Sequence, residues 1–143
     1  MAGLRTVLRW AGALLLVAVA VVHGRLWLDG YRSLDVIGPL FALDTVLAVL
    51  LAAAVVLTPL RYLPVVALAG AALAVGTAAG LLLSTRVVLF GFRESLSAEH
   101  AVLSLVLEGA AGVVLPALAW LSVRRSGRET HAGAGPRART ALR

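Results

Sequence analysis

Three residues of this chain stand out by their surroundings: His23, Asp44 and Glu108, an imidazole and two carboxylates, each set in a separate apolar run. Asp44 falls inside LFALDTVLAVLLAAAVVLT, residues 40 to 58, a stretch long enough to cross a bilayer. An ionisable group at that depth costs roughly 2.5–3.5 kcal/mol on insertion scales, so it needs a partner or a purpose. A histidine and two carboxylates brought together can exchange protons, hold a cation or hydrogen-bond a polar head group. Thr77, Ser84 and Arg86 belong to the same set of candidates, because their helix brings polar atoms to a similar depth. Trp27, Tyr31, Arg32, Glu94, Glu99 and His100 form a second set, in or beside the loops at that end.

These residues exclude as much as they suggest. The chain has no cysteine, which removes thiol catalysis, thiolate metal sites, c-type haem attachment and disulfides within the chain. Nucleophile elbow, HExxH and phosphate-loop spacings are all absent, so no catalytic residue is assigned and the reading leans away from an enzyme. Acid–base chemistry on lipid by the histidine and carboxylates stays open as a third option that nothing in the spacing selects. Two isolated histidines, His23 and His100, are a minimal signal for haem, and His23, His100, Asp44 and Glu108 follow no metal-ligand spacing. Neither a metal nor a cofactor is therefore expected.

The elements that must position the set follow from composition. With 61% hydrophobic and 14% charged residues over 143 positions, the chain carries too much apolar surface for a water-soluble domain of its size. Its mean hydropathy of +0.97 agrees. Four apolar segments reach or approach spanning length, at about 9–28, 37–58, 63–83 and 101–123, against the ~20 residues a helix needs to cross a bilayer core. The fold class expected is all-α, a polytopic four-transmembrane-helix bundle over residues 1–123, followed by a disordered Arg-rich tail over 124–143.

Orientation comes from arginine, the only basic residue besides histidine. With the N-terminus inside, nine arginines (Arg5, Arg9, Arg61, Arg124, Arg125, Arg128, Arg137, Arg139 and Arg143) lie on the cytoplasmic side. The outer side holds Arg25, Arg32, Arg86 and Arg93, matched one for one by Asp29, Asp35, Glu94 and Glu99. Positive residues near helix ends are retained inside, so both termini are placed in the cytoplasm. The absence of lysine and the dominance of Ala, Val, Leu and Gly suggest a GC-rich bacterial coding sequence, and with it a bacterial cytoplasmic membrane. The basic tail then suits anionic lipid rather than a specific nucleic acid. Segment one also has a signal-peptide look, with Ala18-Val19-Ala20 as a small-residue site. Apolar character resumes at Leu26-Trp27-Leu28, which favours an uncleaved helix.

Depth and face complete the picture. At about 1.5 Å per residue, Asp44 and Glu108 lie roughly 10 Å in from the outer starts of their helices. Asp44, Ala48 and Ala52 share one face, as broadly do Ala101, Ser104, Glu108, Ala111, Gly112 and Ala119. Ala72, Gly76, Gly80 and Ser84 form a four-residue ridge expected to pack against a neighbouring helix. Ser97 reads as the N-cap of helix four, and Pro116 is placed to bend it near Glu108. The outer half is thus polar inside and the inner half almost purely Ala, Val and Leu.

Two stretches, HGRLWLDGYRSLDVIGPLFALD at 23–44 and VGTAAGLLLSTRVVLFGFRESLSAEH at 75–100, carry a further signal. The order is His23, Trp27, Gly30-Tyr31-Arg32, Ile37-Gly38-Pro39-Leu40-Phe41, then Leu89-Phe90-Gly91-Phe92 with Glu94. It resembles that of small four-helix integral membrane proteins of high-GC Gram-positive, actinobacterial, bacteria. The resemblance implies the four-helix architecture and such a source, and implies no particular activity, cofactor or partner.

Two functions follow. One is a non-enzymatic accessory or scaffold subunit, docked by its small-residue faces and outer loops into a larger membrane complex or a homodimer. The alternative is a protein that binds or transports a small molecule, a lipid or quinone, or an ion or proton at the outer His/Asp/Glu cluster.

Overall fold

A computed structural model describes residues 2–88 and 100–132. It is all-helical: α1 (Ala2–Asp29), a 3-10 turn (Tyr31–Ser33), α2 (Ile37–Leu57), α3 (Leu63–Arg86) and α4 (Ala101–Ala132). Four stretches, Gly3–Asp29, Ile37–Leu57, Leu63–Arg86 and Ala101–Arg124, are long and apolar enough to cross a membrane. The α1–α2 and α2–α3 connections are short. α1 packs mainly on α2 and α4, α3 packs mainly on α4, and the α2–α3 seam is looser.

Two helices outrun their expected ends. α1 starts at Ala2 rather than near residue 9, because Arg5 and Arg9 are good helix formers and nothing before Gly30 breaks the run. α4 continues through Pro116 and on to Ala132, into the segment expected to be disordered. Arg, Ser and Glu there prolong a helix already nucleated by the span, and the next proline is Pro136. Ser97, expected to cap α4, lies outside the described residues. His100 precedes the helix at φ 69°, and its carbonyl accepts the Ser104 N–H at 2.8 Å.

The packing is asymmetric along the bundle. At the end carrying the α2–α3 connection, Leu16, Val55, Leu63, Leu115 and Leu118 are fully buried among Ala13, Ala52, Ala67, Ala71 and Ala111. Small residues let the backbones approach, and the leucines fill the remaining space. Arg9 locks this end. From α1 its Nε donates to the Val55 carbonyl at 2.6 Å and its Nη2 to the Val56 carbonyl at 2.7 Å, and Nη2 also reaches the Thr58 carbonyl. The last carbonyls of a helix have no intrahelical donor. One guanidinium supplies three of them.

The small-residue ridge on α3 sits differently from expectation. The buried positions of α3 are Leu63, Ala67, Gly70, Ala71, Ala74 and Ser84. Ala72 and Gly76 are exposed, and a Cβ built at Gly76 or Gly80 meets no atom within 4 Å. Of the expected ridge, only Ser84 is buried.

Candidate functional site

At the opposite end the core turns polar. His23 on α1, Asp44 on α2, Ser84 on α3, and Ser104 and Glu108 on α4 are all buried, with Glu108 only 1% exposed. Each helix delivers its polar group from a face that is otherwise Ala, Gly, Val or Leu, so folding of the apolar end sets their height and direction.

His23 is the bridge. Its Nδ1 lies 3.3 Å from Asp44 Oδ2 and its Nε2 lies 3.5 Å from Glu108 Oε1. Nδ1 is also 3.1 Å from the Val19 carbonyl, one helical turn earlier. A carbonyl only accepts, so this contact assigns the proton to Nδ1, which donates it to Val19 while Asp44 Oδ2 stands alongside at ion-pair distance. Nε2 then either donates to Glu108 as part of an imidazolium or accepts a proton from it. Ser104 Oγ donates to the same Glu108 Oε1 at 3.1 Å. Among the described residues, both Asp44 carboxylate oxygens and Glu108 Oε2 are buried with no hydrogen-bond partner.

A cavity of about 330 Å³ adjoins this trio. Its polar end is His23, Asp44, Thr77, Ser84, Ser104 and Glu108. The remaining lining is Leu26, Ile37, Leu40, Phe41, Leu43, Leu47, Leu73 and Leu81, with Tyr31, Gly76, Gly80 and Ala101. Leu40, Leu43, Leu47 and Gly76 are also surface residues, so the cavity opens sideways along the loose α2–α3 seam. Its size falls at the small end of the range for ligand pockets, roughly 300–1,000 Å³.

The roof is built by the turn between α1 and α2. Tyr31 stacks on Phe41 at 4.8 Å between ring centroids, and Phe41 tilts against the His23 ring at 5.0 Å. Gly30, at φ 151°, turns the chain there without a side-chain clash. A Cβ at Gly38 would stand 2.7 Å from the Tyr31 carbonyl, so only glycine lets α2 start this close to the turn.

The candidates separate accordingly. His23, Asp44, Thr77, Ser84, Glu108 and Tyr31 line one cavity, whereas Arg86 is exposed at the end of α3 and is not among its lining residues. Ser84 spends its hydroxyl proton on the Leu81 carbonyl of its own helix, whereas the Thr77 hydroxyl reaches both the Leu73 and Ala74 carbonyls and Glu108. Trp27 is half-buried on α1 outside the lining, Arg32 is exposed in the 3-10 turn, and His100 is half-buried just before α4. Glu94 and Glu99 lie outside the described residues. Sequence reasoning missed Ser104 as a site residue, although it sits one turn before Glu108 on the same face. It also missed the cavity role of Phe41, Gly76 and Gly80.

Among the described residues, no group of three or more His, Asp or Glu side chains is arranged to hold a metal ion. The reason is visible in the trio, whose two carboxylates meet opposite nitrogens of one ring instead of converging on a common point. Comparison with family models, curated proteins and solved structures finds no match. The class defined by fold and site is therefore a four-helix chain of membrane-spanning character with a buried carboxylate–imidazole–carboxylate network beside a lateral apolar cavity.

Proposed function

We propose that this is a polytopic protein of the bacterial cytoplasmic membrane, of actinobacterial type, that binds a small amphipathic molecule in the outer half of its bundle without transforming it. The observation that carries the reading is the junction of two features: a buried trio with unpartnered carboxylate oxygens forms the end wall of an apolar cavity. A polar head would meet the trio while an apolar tail fills the space among Leu40, Leu43, Leu47 and Leu73. Native mass spectrometry from mild detergent tests it. A small-molecule mass retained by the wild type and lost in Asp44→Asn/Glu108→Gln is expected. A bare mass, or an adduct indifferent to both substitutions, sinks the reading.

A second reading, an accessory subunit or homodimer, is favoured by the exposed Ala72 and Gly76, where a partner helix would find close backbone approach. A partner-subunit mass in the same experiment, with no small molecule, would support it.

The orientation that places the site outside rests on arginine distribution, with both termini in the cytoplasm. Because the chain has no cysteine, single introduced thiols report it cleanly. In intact cells a membrane-impermeant maleimide should label Arg32→Cys and leave Leu60→Cys unmodified, both positions being exposed in the fold. The opposite pattern inverts the topology.

A further inference from the structure

The site has a deficit of donors. Its four carboxylate oxygens face the imidazole of His23 and two hydroxyls, those of Ser104 and Thr77, both toward Glu108. The Thr77 proton is contested by the Leu73 and Ala74 carbonyls, while Ser84 directs its own to a carbonyl of α3. Among the described residues, both Asp44 oxygens and Glu108 Oε2 are left without a hydrogen-bond partner, on residues that are 5% and 1% exposed. Buried acceptors in that state cost free energy until a donor arrives. The charge points the same way. With both carboxylates ionised the trio is negative even if the imidazole is protonated, and among the described residues no arginine lines the cavity.

This excludes head groups by chemistry. A carboxylate or phosphate would face two carboxylates with at most the one imidazolium of His23, already between them, to receive it. A carbonyl head brings no donor to the unpartnered oxygens. A quaternary ammonium brings charge without N–H groups and leaves the oxygens unmatched. A primary ammonium brings a positive charge and three donors.

We propose that the ligand is a single-chain primary amine, bound as its ammonium ion to Asp44 and Glu108 with its hydrocarbon tail in the cavity. This rests on the pocket reading above. A free amine is favoured over an aminophospholipid for two reasons. Asp44 lies about 10 Å beyond the start of α2 at 1.5 Å per residue, below the level at which a head group carrying its own phosphate would sit. The cavity, at about 330 Å³, is also at the small end for a ligand pocket and suits one chain rather than two.

Radiolabelled dodecylamine binding to the full chain in phosphatidylcholine nanodiscs, corrected for protein-free discs, tests the assignment. Saturable binding near one equivalent is expected, weakened at least tenfold in Asp44→Asn/Glu108→Gln. Gly76→Leu, which enters open space and leaves the trio intact, should abolish it while the protein elutes and melts as the wild type. Unlabelled dodecylamine should compete; dodecanol, dodecanoate and dodecyltrimethylammonium should compete at least tenfold less well. Equal competition by dodecyltrimethylammonium or dodecanol overturns the ammonium assignment, as does unchanged affinity in the double variant. Equal competition by phosphatidylethanolamine doped into the discs overturns the free amine in favour of a lipid head group. Labelled dodecanol that binds in a trio-dependent way, with no amine binding, leaves the pocket reading standing and removes only the ligand class. No trio-dependent binding by either probe removes both.

Discussion

His23→Leu should cost the protein about 3–5 kcal/mol, the range for breaking a buried ion pair from one side. The substitution is close in volume, so packing around Val19 and Phe41 changes little. What it removes is the one group that both carboxylates contact, with Asp44 Oδ2 at 3.3 Å and Glu108 Oε1 at 3.5 Å. Two buried carboxylates would then face each other across hydrocarbon, leaving the Ser104 and Thr77 hydroxyls as the remaining donors to Glu108. Unfolding by a denaturing detergent, followed by circular dichroism, measures the loss. The triple variant His23→Leu/Asp44→Asn/Glu108→Gln should regain most of it, because its polar groups are neutral and the charge imbalance is gone. A single variant within 1 kcal/mol of wild type, on the order of the median exposed ion pair, would show that the imidazole is not what holds the carboxylates in the bundle.

The second large effect lies at the other end. Arg9→Ala should destabilise by about 2–4 kcal/mol, since hydrogen bonds to charged groups contribute about 1.5–3 kcal/mol each and three on one guanidinium do not add in full. The carbonyls of Val55, Val56 and Thr58 would lose their donor at the negative end of the α2 dipole. Arg9→Lys should recover at most half, because an ammonium lacks the planar fork that reaches several carbonyls at once. The same unfolding assay decides it. Full rescue by lysine would mean that charge near the helix end matters and the geometry does not.

How much of this was legible depended on contrast. His23, Asp44 and Glu108 could be picked out because each interrupts an apolar run, and Asp44 with Ala48 and Ala52 shared a readable face, all three of which are buried. α3 offered no such contrast. Gly70, Ala71, Ala72, Ala74 and Gly76 place small residues all around the helix, so spacing could not tell the ridge that packs from the one that opens on the cavity. The role of Arg9 was hidden for a different reason. An arginine near a helix end reads as a topology signal, and nothing local reveals that its partners are carbonyls more than 45 positions away. The helical course of α4 past residue 123 was obscured by a composition that, taken alone, is that of a disordered segment.

The sideways mouth between α2 and α3 carries one more consequence. In a bilayer it faces hydrocarbon, so the concentration that governs occupancy is the one dissolved among the lipid chains, and the aqueous concentration matters only through partitioning. Each added methylene enriches a solute in that phase by about 0.8 kcal/mol. Two amines with the same head and different tails would therefore show different apparent affinities against the aqueous phase while making the same contacts with Asp44 and Glu108. Selectivity for the head group would be exerted on a population already sorted by the membrane.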